Sequence, residues 1–166
     1  MAYLLDADVF IRAKNLHYGM DFCPAFWDRL DRLVQAHACS CVFSVEKVGD
    51  EIRAGNDELA QWAETRGQVF FLRPNATVLS ALAHVSEWAT GQSYEPAAVN
   101  MFFQLADYYL VAQALSGNHT VVTHEVPSAS KRKIKIPDAC IGLGIKCMSP
   151  YEMLRMERAR FVLGRL

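Results

Sequence analysis

Val99-Asn-Met-Phe-Phe-Gln-Leu-Ala-Asp-Tyr-Tyr-Leu-Val-Ala-Gln-Ala-Leu115, followed by Ser116-Gly117 and then Thr120-Val-Val-Thr123, is the stretch on which the fold turns. The first run is apolar and rich in helix formers, and the spacing predicts one long helix over 96–115, stopped by Ser116-Gly117. The short β-branched run behind it reads as a strand. A helix that feeds a strand through a short connection is the repeating unit of a parallel sheet. The helix carries one charge, Asp107. A carboxylate in such a run must be paired, hydrogen-bonded or bound to a cation, because burying it alone is costly.

Working outward, the same alternation recurs. Ala2 to Leu5 is a short first strand. Pro24 to Ala36 reads as a helix with proline in its first turn, Ala38 to Ser44 as a strand, and Val45 to Ala54 as a helix stopped by Gly55. Asp57 to Arg66 is a second short helix with Asp57 as its N-cap. Gln68 to Leu72 is a strand, Thr77 to Ala89 a helix, Ile145 to Met148 a strand, and Ser149-Pro150 opens a terminal helix. The expected fold class is α/β: three α/β/α layers around a mostly parallel central sheet, in a single domain spanning 1–166. Ligands of such sheets bind outside the carboxyl ends of the strands, where the strand order reverses.

Two further acids fall at those ends. Asp6 closes the run Tyr3-Leu-Leu, and Glu125 follows Thr120-Val-Val-Thr. Acids at the ends of apolar strands and within an apolar helix point to one shared site, and a divalent cation is their simplest partner.

Composition narrows the function classes. A hydrophobic fraction of 52% and a net charge of −1 leave polyanion binding to local patches and not to an overall field. No run is long and apolar enough to span a membrane, and the N-terminus lacks a signal peptide, so a cytoplasmic protein is expected. The five cysteines form no CxxC pair, and Cys39-Ser-Cys41 alternates as a strand would. They read as reduced, buried, small hydrophobes. Trp27, Trp62 and Trp88 fit helix core faces better than base-stacking platforms.

Four segments, in order, resemble the motifs of PIN-domain nucleases. Leu4-Leu-Asp-Ala-Asp-Val-Phe-Ile11 is similar to the first, an apolar strand ending in Asp. Glu51-Ile-Arg-Ala-Gly55 looks like the Glu-Leu-x-x-Gly element of VapC-like toxins. Ala106-Asp-Tyr-Tyr-Leu-Val-Ala-Gln-Ala-Leu115 is similar to the third, and Val121-Val-Thr-His-Glu125 resembles the fourth, which usually ends Thr-x-Asp. Position 8 is Asp where the family usually has Asn, Ser or Thr, and the insert from Gly55 to Gly91 is longer than in a minimal toxin.

The resemblance implies a metal-dependent endoribonuclease, the toxin of a toxin–antitoxin pair, which acts on RNA, forms a homodimer and is blocked by a cognate antitoxin. Asp6 and Asp107 would be the principal ligands of Mg²⁺ or Mn²⁺, oxygen donors that suit these hard ions. Glu51 and Glu125 would be outer ligands or would hold coordinated water, and Thr123 would hydrogen-bond a ligand or a phosphate oxygen. Glu46 and Asp50 rival Glu51 for its role. Asp8 has two readings, a further ligand or the cap of the helix that follows. His124 reads as a solvated or hydrogen-bonded histidine, and Lys131-Arg-Lys-Ile-Lys135 as either a phosphate contact or a solvated loop.

Two other readings stand beside this one. Asp6-Ala-Asp8 also resembles the start of the Asp-x-Asp-x-Thr/Val signature of haloacid-dehalogenase-like phosphatases, with Asp6 as nucleophile. There, however, Phe10 occupies the Thr/Val position. The third reading is a PIN-like module that binds RNA or a partner without cleaving.

Overall fold

The computed structural model describes residues 2–35 and 41–162. In chain order the elements are β1 (Ala2–Leu5), α1 (Ala7–Arg12) with a π-helical continuation over Ala13–His17, α2 (Pro24–Gln35), β2 (Cys41–Val45), α3 (Glu46–Arg53), α4 (Glu58–Phe70), β3 (Phe71–Leu72) and α5 (Ala76–Gly91). Then follow α6 (Pro96–Gln104), α7 (Ala106–Gly117), β4 (Thr120–Val122), α8 (Ile136–Leu143), β5 (Cys147–Met148) and α9 (Pro150–Met156). The part of the expected second strand before Cys41, Cys39 included, lies outside the described residues.

The strands form one sheet in the order β3-β2-β1-β4-β5, and every pairing is parallel. Ala2, Tyr3, Leu4 and Leu5 are all buried in succession. Successive strand residues point to opposite faces, so β1 is covered on both sides, as a layered α/β fold requires. From β1 the chain crosses one way to β2 and, later, the other way to β4. The strand order therefore reverses beside β1, and a crevice opens there.

The core continues from this sheet into an aromatic seam. Phe10 packs on Trp62 and Phe70, and Trp62 on Trp27, at ring separations of 5.3–5.9 Å. Trp27 and Trp62 are buried and Trp88 is packed against the core, which agrees with their reading as core residues. Asp57 caps α4, its side chain accepting from Leu59 N and Ala60 N at 3.0 Å each. Cys140 is a buried thiol, while Cys23 and Cys147 are only partly buried. Among the described residues no helix is long and apolar enough to cross a membrane.

Three expectations need correction. The helix predicted over 96–115 is two helices, because Leu105 leaves helical geometry at φ −85°, ψ 160°. No glycine or proline marks that break in the sequence. The strand expected over Gln68–Leu72 is only Phe71–Leu72. Gly67 takes φ 55°, ψ −153°, and the chain stays helical beyond this kink to Phe70; that backbone is open to glycine but not to side chains with a Cβ. The strand expected over Ile145–Met148 is only Cys147–Met148; α8 before it had no expected counterpart, and its proline lies in the first turn, where the missing N–H costs nothing.

Candidate functional site

Register explains why Asp6 and Thr123 meet. Leu5 pairs with Val122 across β1 and β4, so the next residues of both strands face each other at the crevice. Asp6 N–H donates to the Val122 carbonyl at 3.0 Å, and Thr123 N–H to the Met148 carbonyl at 3.1 Å. With both backbones fixed, Thr123 Oγ1 donates to Asp6 Oδ2 at 2.8 Å and accepts from Glu125 N–H at 3.0 Å. Asp6 stands at the N-cap position of α1, yet its side chain makes no cap bond. Its carboxylate is committed to Thr123 and to the crevice.

The break at Leu105 aims the second acid. It places Asp107 in the first turn of α7, not mid-helix, where unpaired backbone N–H groups favour a carboxylate. Among the described residues Asp107 forms no salt bridge, so it is not a core acid held by an arginine.

On α3 the three acidic rivals separate. Glu46 is tied to Arg73 at 2.6 Å and Asp50 to Arg53 at 3.0 Å. Glu51 is turned off that face and lines the crevice. Glu125 closes the other side: its Oε1 accepts from Lys133 Nζ at 2.9 Å and its Oε2 from Ile136 N–H, at the start of α8, also at 2.9 Å.

Asp6, Asp8, Glu51, Asp107 and Glu125 thus line one cavity of about 360 Å³, with Leu105 and Lys133 in its wall. Asp8 lies in the first turn of α1, not at its cap, and pairs with Arg12 at 2.8 Å. Lys133 is the member that the sequence left undecided; its only signal was the basic run Lys131 to Lys135. Lys131 instead lies over the Tyr94 ring, and Arg132 stands 3.5 Å from Glu95.

The electrostatics of the cavity are strained. Asp6 is pushed up to about 7, first by burial and then by the charge of Asp107. Asp107 is pushed up to about 6, first by burial and then by Glu125. Glu51 is also raised, by burial and by Asp8. The Lys133 ammonium is held protonated, first by its bond to Glu125 and further by Asp107 and Asp6. Burial lowers His124, which therefore favours its neutral form. Such a set of mutually repelling carboxylates is relieved by a cation, and all-oxygen donors suit a hard one. Among the described residues no three acid, histidine or cysteine side chains form a ready-made coordination sphere.

Residues 3–161 match the family described as Domain of unknown function (DUF4411). No curated protein matches the sequence. The fold is similar to that of a chain in VapBC2 from Rickettsia felis, crystallised bound to a DNA fragment from its promoter. The TM-score is 0.53 at 14% identity, over 90% of this chain and 98% of that one. FitAcB from Neisseria gonorrhoeae is similar at a TM-score of 0.52 and 17% identity, over 91% of this chain and 99% of the other. FitAB bound to the IR36 DNA fragment gives 0.53 at 18%, over 91% and 96%. At such identities the likeness is one of fold alone, a three-layer, PIN-like α/β arrangement.

Proposed function

Since the chain belongs to the DUF4411 family, whose description names no activity, the site itself must supply one, and we propose a metal-dependent endoribonuclease, the toxin of a toxin–antitoxin pair. The observation that supports it most is the convergence of Asp6, Glu51, Asp107 and Glu125 on one cavity at the strand-order reversal, with two of them raised to about 7 and about 6. The likeness in fold to chains of VapBC2 and FitAB supports the toxin reading and a cognate antitoxin. The homodimer is carried over from the same resemblance.

In this reading Asp6 and Asp107 hold Mg²⁺ or Mn²⁺, with Glu51 and Glu125 around them. The bound ion would supply a nucleophilic water at neutral pH and stabilise charge on the phosphate. The chain's own groups prepare the site. Thr123 fixes the Asp6 carboxylate in one orientation. Asp107 is lodged at a helix start, with its charge unspent on any salt bridge among the described residues. Lys133 neutralises Glu125 in the free protein and offers its ammonium to an incoming phosphate.

The test is cleavage of mixed RNA, run beside a generic phosphatase assay on the same preparation. EDTA should abolish RNA cleavage and added Mn²⁺ should restore it. Asp6→Asn and Asp107→Asn should each abolish it while the protein stays folded. Full cleavage in excess chelator would overturn the proposal.

A further inference from the structure

A second cavity, of about 490 Å³, opens on the far side of the β4 end. Its wall includes Val126, Pro127, Ile141, Cys147, Tyr151 and Glu152, and it shares Thr123 and Glu125 with the acidic cavity. Among the described residues lining it, none is Lys or Arg. A phosphate finds no lysine or arginine there, and the lining carboxylates Glu125 and Glu152 oppose it. The rims are apolar and open: Val126 is 65% exposed, Ile141 69% and Tyr151 37%. The Tyr151 ring is not loose, because its hydroxyl is 3.1 Å from His17 Nε2 and its ring stands edge-on to His124, at 5.6 Å and 70°. His124 packs in turn on His17 at 5.6 Å.

We infer that this cavity is a nucleobase subsite, which receives the base next to the phosphate held over the acids. Three features favour that occupant. The shared wall of Thr123 and Glu125 means that a strand whose phosphate lies over the acids delivers its neighbouring base here. A largely apolar wall with a fixed aromatic ring and no lysine or arginine suits an uncharged base, and unstacked RNA bases are commonly held in this way. Finally, Glu152 gives the wall a carboxylate acceptor besides Glu125, whose oxygens already accept from Lys133 and Ile136. Glu152 Oε2 takes the Ser149 N–H and hydroxyl at 2.8 Å each, while a carboxylate has acceptor capacity on both oxygens. Oε1 can therefore take an exocyclic amino group. Adenine, cytosine and guanine offer it an exocyclic amino donor, while uracil has only its ring N3–H, so the amino-bearing bases are the preferred occupants.

The inference rests on the nuclease reading for the delivery of an RNA base, but its test needs no cleavage. The probes are adenosine, cytidine, guanosine and uridine, titrated into the metal-free full chain and followed by amide NMR shifts. The three amino-bearing nucleosides should move the amides of Val126, Ile141, Cys147 and Tyr151, and uridine should bind more weakly. Tyr151→Ala, which removes the ring, and Ile141→Lys, which fills the mouth from an exposed position, should each weaken binding by roughly tenfold. Glu152→Gln keeps a residue able to complete the Ser149 capping box and should bring uridine level with the others. If no nucleoside moves these amides, the subsite is refuted. It is equally refuted if N-acetyl-leucinamide binds there as well as adenosine does, which would mark a groove for an apolar protein side chain. A preference that survives Glu152→Gln would remove the role given to Glu152. Nucleoside binding without any metal-dependent RNA cleavage would overturn the nuclease reading and leave the subsite standing.

Discussion

Thr123 Oγ1 donates to Asp6 Oδ2 at 2.8 Å and accepts from Glu125 N–H at 3.0 Å, so one buried hydroxyl links the ends of two strands to two acids. Its partners lie 117 residues apart on one side and two on the other. A hydroxyl is the smallest group able to do both jobs, since it donates once and accepts as well. That gives Thr123 a positioning role at the site.

Thr123→Val keeps the shape and removes both bonds. Leaving the Glu125 N–H and an Asp6 oxygen without that partner should cost about 1–3 kcal/mol in a thermal melt. RNA cleavage should fall with it, while Thr123→Ser should restore both. Unchanged stability and cleavage in the Val variant would show that the hydroxyl positions nothing.

The raised acids set a pH dependence. Asp6 at about 7 and Asp107 at about 6 both lie above the value of 3.8 taken for a free Asp. Between about pH 4 and pH 7 the folded state therefore binds more protons than the unfolded one, and stability falls as pH rises through that window. Each tenfold change in proton affinity corresponds to about 1.4 kcal/mol, so the loss is on the order of several kcal/mol. Metal-free protein should melt higher at pH 5 than at pH 8. At pH 8 both Asp6→Asn and added Mn²⁺ should raise the melting temperature. A metal-free melting temperature that climbs from pH 5 to pH 8 would contradict the electrostatic account of the cavity.

Lys133 tests the phosphate contact. Its side chain is about half exposed, so losing its pair with Glu125 should cost the fold at most about 1 kcal/mol. Lys133→Met should instead weaken RNA binding about equally across sequences and reduce the salt slope of log Kd by about 1. Binding isotherms at several salt concentrations, in EDTA, measure this directly. An unchanged slope would place Lys133 off the RNA path.

Asp8 separates nuclease from phosphatase. It pairs with Arg12 on the helix surface, at 2.8 Å, and PIN-like motifs commonly carry a neutral polar residue there. Asp8→Asn should keep much of the RNA cleavage. In a phosphatase the same change removes the acid that protonates the leaving group and should lower turnover by roughly 10²–10⁴-fold. Mass spectrometry after incubation with a phosphorylated substrate should find no phosphoaspartate at Asp6; finding one would favour the phosphatase.

The sequence alone determined the strand–helix alternation, the parallel sheet and the placing of Asp6 and Glu125 at strand ends, because these follow from local periodicity and from the burial of both sheet faces. It could not choose among Glu46, Asp50 and Glu51. That choice depends on Arg73, 27 residues beyond Glu46, on Arg53 beside Asp50, and on which side of α3 faces the cavity. Nor did it reveal the break at Leu105, since neither glycine nor proline marks the place where this residue of the cavity wall takes an extended backbone. Lys133 was one basic residue in a run of four until the path from β4 to α8 brought its ammonium to Glu125. Local propensity acts over a few residues. Charge pairing, helix breaks and the joining of cavities act through space, and only the folded chain decides which side chains become neighbours.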